Sequence, residues 1–218
     1  MSEFIVHGIP GSPYVRSALL GLEEKGAAYR LAVLKLGEEK SPEHLARHPF
    51  GRMPVLDHGD FRLYETQAIL RYLDRILPQP PLVPGDARAA ARMDQLAGIT
   101  DWYLFRDATA EITFQRLVAP RYGLPVDEAK IAAAIPRAAI SLAEVSRLLG
   151  RQRYMTGDRI SIADLMLAPH LVLFAEVPEG RPMFARHPNL KEWTLRMNER
   201  PSMVKTTRDR LVQALAAA

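Results

Sequence analysis

Along residues 1–80 the spacing of hydrophobic positions changes several times, and each change marks an element. Phe4-Ile5-Val6-His7 is an apolar run of strand length, followed by a loop of Gly, Pro and Ser from Gly8 to Pro13. Val15, Ala18, Leu19 and Leu22 then recur at helical spacing. Ser12-Pro13 supplies the helix start, with serine as N-cap and proline at the first helical position, and Gly26 supplies the stop. Tyr29 to Leu36, apolar at 31, 33, 34 and 36, reads as a second strand, and Ser41-Pro42 opens a short helix by the same rule as Ser12-Pro13. The stretch 48–77, HPFGRMPVLDHGDFRLYETQAILRYLDRIL, completes the unit. Val55, Leu56 and Asp57 begin a strand, and His58-Gly59 is where a hairpin must reverse. Phe61 and Leu63 share one face of the returning strand while Arg62 and Tyr64 share the other. Glu65-Thr66 opens a helix carrying Ile69, Leu70, Leu73 and Leu77 at helical spacing. Pro54 suits the first residue of a strand, and the bond before it is the kind at which a cis peptide is accessible. The order β-α-β-α-β-β-α predicts an α/β unit with a mixed, helix-covered sheet.

The pattern then breaks. PQPPLVPGD, residues 78–86, cannot continue a helix and reads as a semi-rigid linker. Beyond it the periodicity is helical throughout. Ala87 to about Ala119 is one long pattern with Leu96, Ile99, Tyr103 and Phe114 facing inward, and Asp127 to Gly150 is a second, with Pro136 placed to bend it. Ser161-Ile162-Ala163-Asp164 has capping-box spacing with Asp in place of the usual Glu, which makes Asp164 structural. Asn189–Glu199 and Ser202–Ala217 are the last two helices expected. The domains are therefore read as 1–78, a linker at 79–86, and an all-helical 87–218.

Composition narrows the function classes. With 218 residues, 48% of them hydrophobic, the chain has ample material for a core. It has no cysteine, which excludes disulfides, thiolate metal sites and a cysteine nucleophile. Residues 1–80 hold ten basic and ten acidic side chains; the remaining nineteen and fifteen give the net charge of +4, scattered singly along helices rather than clustered as a nucleic-acid footprint. No apolar run approaches a membrane span and MSEFIVHGIPG lacks a signal-peptide pattern, so a cytoplasmic protein is expected.

Two stretches allow chemistry as well as structure. A serine at a helix start is either a cap or a hydroxyl offered to an anion beside the positive helix end. Glu65-Thr66 is either a helix opening or a binding place in which Thr66 and the N–H groups of a helix start meet a carboxylate.

Four segments, SPYVRSALLGLEEKGAAYRL (12–31), HPFGRMPVLDHGDFRLYETQAILRYL (48–73), TGDRISIADLMLAPHL (156–171) and HPNLKEWTLRMNERP (187–201), together resemble the cytosolic glutathione S-transferases, bacterial-type, with a serine-type site of the phi or theta kind. The resemblance implies a thioredoxin-like first domain, an all-α second domain, a C2 homodimer and a detoxification role. It implies glutathione as co-substrate and requires no metal. Ser12 lies where such enzymes carry the serine that stabilises the glutathione thiolate, with Tyr14 and His7 as fallback donors. A thiol of pKa roughly 8.5 is only a few per cent ionised at neutral pH, so that stabilisation is what the chemistry needs. Met53, before Pro54, maps onto the residue whose backbone pairs with the extended tripeptide, and Glu65-Thr66 onto the pair that receives its γ-glutamyl end. Lys40 and Arg52 map onto cations for the glycyl carboxylate, although Glu39 stands where a phi-like His-Lys pair has histidine. The electrophile site is expected between the domains, from among Tyr14, Trp102, Tyr103, Phe105 and Arg106, with Tyr14, Tyr103 and Arg106 favoured. The alternatives within the fold are a glutathione-dependent isomerase or reductase, or a glutathione-binding protein without turnover.

Overall fold

The structure is a computed structural model and describes residues 3–217; Met1, Ser2 and Ala218, at the ends of the expected first and last domains, lie outside the described residues. Two compact units are present, one running to Val83 and including the residues from Glu199 onward, the other Pro84–Asn198.

In the first unit, β1 (Phe4–Gly8), α1 (Pro13–Glu24), β2 (Tyr29–Val33), a 3-10 turn (Glu38–Lys40), α2 (Pro42–Leu45), β3 (Val55–His58), β4 (Phe61–Tyr64) and α3 (Thr66–Ile76) follow in order. The four strands form one sheet in the order β2-β1-β3-β4. β1 and β2 are parallel; β3 is antiparallel to both β1 and β4, with His7 opposite Val55 and Val55 opposite Tyr64. Val6, Leu31 and Leu56 of the sheet bury against Val15, Leu19 and Leu22 of α1 and Ile69 and Leu73 of α3. Of these, all but Leu31 are fully buried, and a fully buried aliphatic side chain stabilises the fold by about 1.5–3 kcal/mol. The two helices approach closely at Gly21, where a Cβ would come within 2.5 Å of a Leu70 methyl.

The second strand is shorter than the pattern predicts. β1 ends at Gly8, whose carbonyl takes the Leu34 N–H at 3.1 Å, so there is no partner strand for Lys35 and Leu36. The chain turns instead at Gly37, at φ 94°. Gly59 has the positive φ (64°) expected of the hairpin, and both Met53–Pro54 and Gln79–Pro80 are cis. The linker is pinned rather than loose. The buried Lys25 ammonium donates to Asp74 (2.6 Å) and to the Pro80 carbonyl (2.5 Å), and Asp74 also accepts the Leu82 N–H (2.7 Å).

The second unit is helical: α4 (Ala87–Ile99), a π-helical run (Thr100–Val118), α5 (Glu128–Leu149), α6 (Ile162–Glu176), α7 (Gly180–Ala185) and α8 (Pro188–Asn198). The expected single long helix thus changes its winding at Thr100. The π turn, with bonds five residues apart, lengthens the repeat. Leu96, Thr100, Leu104, Ala108 and Ile112 form the buried stripe, and Tyr103, expected inward at the tighter spacing, is 56% exposed. Ile99 and Phe114 are only partly buried. Short α7 was not apparent in the sequence, because Gly180 and Pro182 break the apolar period there. Among the described residues no helix is long and apolar enough to cross a membrane.

Within this unit His170 is fully buried on α6 and shares a hydrogen bond of 2.9 Å between its Nδ1 and the Thr109 hydroxyl. Burial pushes its pKa down from 6.5 to about 3. The contribution to stability has a definite sign. Above the unfolded pKa the ring is neutral in both states; as pH falls from 6.5 towards 3 only the unfolded chain takes the proton, and stability falls by up to about 1.4 kcal/mol per pH unit. His170→Gln, which does not titrate, is expected to flatten the loss of stability between those pH values; urea midpoints measured at intervals of one pH unit check this. Identical slopes for the two proteins would show that the ring is protonated alike in both states.

The tail consists of α9 (Pro201–Lys205) and α10 (Arg208–Ala216), and Thr206-Thr207 interrupts the single last helix expected. Composition placed this tail in the helical domain; it packs in the first unit instead. Leu211 joins the core of that unit, the buried Arg16 of α1 donates to the Met203 carbonyl (2.6 Å), and Arg200 pairs with Glu24 (2.7 Å).

Candidate active site

The register of the sheet gathers three of the predicted segments at one end of the first unit. His7, Val55 and Tyr64 lie side by side on β1, β3 and β4. The loop after β1, the residues before β3 and the residues after β4 therefore meet at one end of the sheet: Ser12 lies in the first, Met53-Pro54 forms the second and Glu65-Thr66 the third. The Ile9 N–H donates to the Met53 thioether at 3.4 Å, and the Ile9 carbonyl accepts the Ser12 N–H at 3.1 Å, which links Met53 to the serine loop.

The two Ser-Pro helix starts, identical in sequence logic, behave differently. Ser41 caps α2, its hydroxyl accepting the His44 N–H at 3.2 Å. Ser12 occupies the N-cap position of the 12-residue α1 with extended backbone (φ −62°, ψ 127°), yet its hydroxyl makes no capping hydrogen bond. It is partly exposed. Tyr14, in the first turn of α1, is also partly exposed. His7 is turned to other work: its Nε2 lies 2.9 Å from Asp57, which also takes a two-point contact from Arg62 at 2.6 and 2.9 Å. Burial lowers the His7 pKa, opposed by the Asp57 carboxylate.

Glu65 is a non-glycine residue at φ 71°, and its side chain makes no capping bond to α3. Such a backbone costs about 1–3 kcal/mol and persists where its surroundings impose it, commonly at ligand sites. The Glu65 side chain is exposed, while Thr66, the first residue of α3, is buried. Lys40 and Arg52 are exposed cations of neighbouring segments. Lys40 Nζ donates to the Gly51 carbonyl at 3.2 Å, and Gly51, at φ 56°, has no room for a Cβ, which would lie 2.8 Å from that nitrogen.

In the other unit Tyr103 and Trp102 (76% exposed) face solvent. Arg106 binds its neighbour, the buried Asp107, through Nε (3.1 Å) and Nη2 (3.0 Å), and Arg137 reaches the same carboxylate at 2.8 Å. Burial works to raise the Asp107 pKa, but the two guanidinium hydrogen bonds outweigh it and hold the group below the usual carboxylate range.

Two histidines passed unnoticed in the sequence. His44 is fully buried, and its Nε2 donates to the Arg52 carbonyl at 2.7 Å. His48 packs against Tyr64 with ring centroids 4.5 Å apart and planes tilted by 31°, and exposed Phe50 meets both rings edge-on. Their spacing of four, beginning within the Ser41-Pro42 helix start, was the available signal.

Residues 2–75 match the family described as glutathione S-transferase, N-terminal domain, and residues 128–196 match glutathione S-transferase, C-terminal domain. The chain is 32% identical over 208 residues to a probable glutathione S-transferase, GSTF2, of Oryza sativa subsp. japonica, covering 94% of this chain and 96% of that one. Among solved structures it is similar to glutathione transferase F7 from Populus trichocarpa, with a TM-score of 0.83 and 26% identity over 93% of this chain and 97% of that one. It is also similar to the glutathione-bound theta class glutathione S-transferase from Xanthomonas axonopodis pv. citri, with a TM-score of 0.81 and 29% identity over 95% and 98% of the two chains.

Proposed function

This chain belongs to the glutathione S-transferase family and is a glutathione transferase, and we propose that Ser12 is the group that activates the glutathione thiol. One observation carries the assignment. Ser12 stands at a helix N-terminus without spending its hydroxyl on the cap, whereas Ser41, with the same local sequence, does spend its own. A hydroxyl so placed donates to an anion, and the first turn of α1 adds the positive end of the helix dipole. A hydrogen bond to a charged acceptor contributes about 1.5–3 kcal/mol, enough to lower a thiol pKa by about one to two units.

In this reading glutathione lies extended along the end of the sheet, pairing with the backbone of Met53 before Pro54. Thr66 and the N–H groups of the first turn of α3 receive the γ-glutamyl carboxylate, and Glu65 faces the amine. Lys40 and Arg52 receive the glycyl carboxylate. The thiol proton leaves to solvent as the thiolate forms. Sulfur then attacks an electrophilic carbon of a small hydrophobic substrate; a C–S bond forms, and the leaving group departs with its electron pair or the adduct takes up a proton. Tyr14, in the first turn of α1, is assigned to that substrate. The enzyme is proposed to work as a cytoplasmic homodimer in detoxification, and 67%-exposed Phe50 supports a surface that a second copy covers.

The test is the ultraviolet thiolate absorbance of glutathione bound to the native protein, followed against pH. The expected result is saturable binding with a thiol pKa about one to two units below 8.5, accompanied by conjugation of an activated aryl halide. Binding with an unshifted thiol and no conjugation would leave a glutathione carrier and remove Ser12 from catalysis. Thr66→Val is expected to weaken glutathione binding roughly tenfold through loss of a hydrogen bond to a carboxylate.

A further inference from the structure

We infer that His44 is a positioning residue for glutathione, acting through the peptide group between Arg52 and Met53; the inference rests on the reading in which the Met53 backbone pairs with the tripeptide. The short turn 40–44 holds two successive carbonyls of the segment that leads into the site. Lys40 Nζ takes the Gly51 carbonyl at 3.2 Å and His44 Nε2 takes the Arg52 carbonyl at 2.7 Å. The histidine is itself fixed, since its N–H goes to the Ser41 hydroxyl at 3.2 Å and its side chain is fully buried.

A carbonyl oxygen only accepts, so the hydrogen in this contact belongs to Nε2. His44 Nδ1 is buried with no hydrogen-bond partner, so a hydrogen there would be stranded. The geometry therefore specifies the Nε2–H tautomer. The peptide group is planar, and in a trans peptide the C=O and N–H point in opposite directions. Anchoring the Arg52 oxygen thus sets the direction of the Met53 N–H, the donor an extended ligand would use. The bond is short and its donor ring is fully buried, which makes it worth more than a bond between exposed groups. Holding the donor in place before the ligand arrives reduces the ordering cost of binding. His44 touches neither the thiol nor the substrate in this scheme, so its effect falls on glutathione affinity and not on thiol ionisation.

The experiment combines ring and amide 15N spectra of the ligand-free protein with kinetics of His44→Phe and His44→Gln. In the native protein the His44 Nδ1 resonance is expected in the range of an unprotonated nitrogen and Nε2 in that of an N–H. His44→Phe keeps the ring and removes the donor; it is expected to move the Met53 amide resonance and to raise the glutathione KM about threefold to tenfold, with kcat and the bound-thiol pKa unchanged. His44→Gln, which keeps an N–H donor, is expected to restore most of the affinity. A Met53 resonance indifferent to His44→Phe, a His44 Nδ1 that carries the hydrogen, or a loss shared by kcat and thiol pKa would overturn the inference while leaving the transferase reading intact. Failure of the native protein to bind glutathione would overturn that reading and this one, and the ligand-free spectra would still report whether His44 anchors the Arg52 carbonyl. If His44→Phe does not fold, the native ring spectrum and His44→Gln decide.

Discussion

Ser12→Ala is expected to raise the pKa of the bound glutathione thiol by about one to two units and to lower conjugation at neutral pH by about eightfold to twenty-five-fold, with glutathione still bound. The expectation comes from a hydrogen bond that is stronger to the thiolate than to the neutral thiol, so it appears in the rate and in the titration together. Stability provides an independent arm. An N-cap serine replaced by alanine costs about 0.5–2 kcal/mol, but the Ser12 hydroxyl makes no cap bond, so the unfolding midpoint is expected to stay where it was. Ser41→Ala is the internal comparison, since that hydroxyl does cap and its loss carries the cap's cost. A Ser12→Ala protein that loses stability but keeps a depressed thiol pKa would assign Ser12 to the helix and return the chemistry to another donor, with Tyr14 first in line.

Asp164→Ala is expected to have the largest effect on folding. The carboxylate is completely buried and accepts four hydrogen bonds: from Met155 N–H and Trp193 Nε1–H at 2.9 Å on one oxygen, and from Ser161 N–H at 2.9 Å and its hydroxyl at 2.8 Å on the other. It therefore joins the start of α6 to the turn at Met155 and to the fully buried Trp193 of α8. Burial pushes its pKa up, and these donors oppose the shift. Alanine removes the helix-start bond, worth about 0.5–2 kcal/mol, and strands buried donors at about 1–3 kcal/mol each. A loss of about 3–5 kcal/mol is expected, a large part of the net stability of a domain. For a chain of this size that corresponds to a midpoint lowered by roughly 6–20 °C. Asp164→Asn keeps one acceptor oxygen but turns an NH2 toward donors, so an intermediate loss is expected. Thermal unfolding measures both, and the thiol pKa of glutathione bound to the folded fraction is expected to match the native value. A change in that pKa without a change in midpoint would give Asp164 a part in the chemistry.

The parts legible from sequence were those whose cause is local. Strand and helix periods, the Ser-Pro starts, the Gly59 hairpin and the spacing of Ser161 to Asp164 depend on residues a few positions apart, and the structure reproduces them. The length of β2 was not legible, because a strand ends where its neighbour ends, and Gly8 lies 25 positions before Val33. Nor was the outward turn of Tyr103: a helical repeat is counted on an assumed winding, and the π turns from Thr100 change it. The return of α9 and α10 to the first unit hangs on Arg16, Glu24 and the pocket for Leu211, contacts across more than 170 residues.

The candidate site divides along the same line. Residue types and order by themselves determined that a serine would stand at the start of α1, that a proline would open β3 and that Glu65-Thr66 would open α3. Only the register of β1, β3 and β4 decided that these three places meet at one end of the sheet. Only the folded backbone decided that the Ser12 hydroxyl is left out of the cap while Ser41's is taken into it, and that a buried histidine from α2 holds the Arg52 carbonyl. The physical reason is one of range. Propensity and period act over a few residues, whereas a hydrogen bond answers to whatever group the fold brings within 3 Å or so, however far away it lies along the chain.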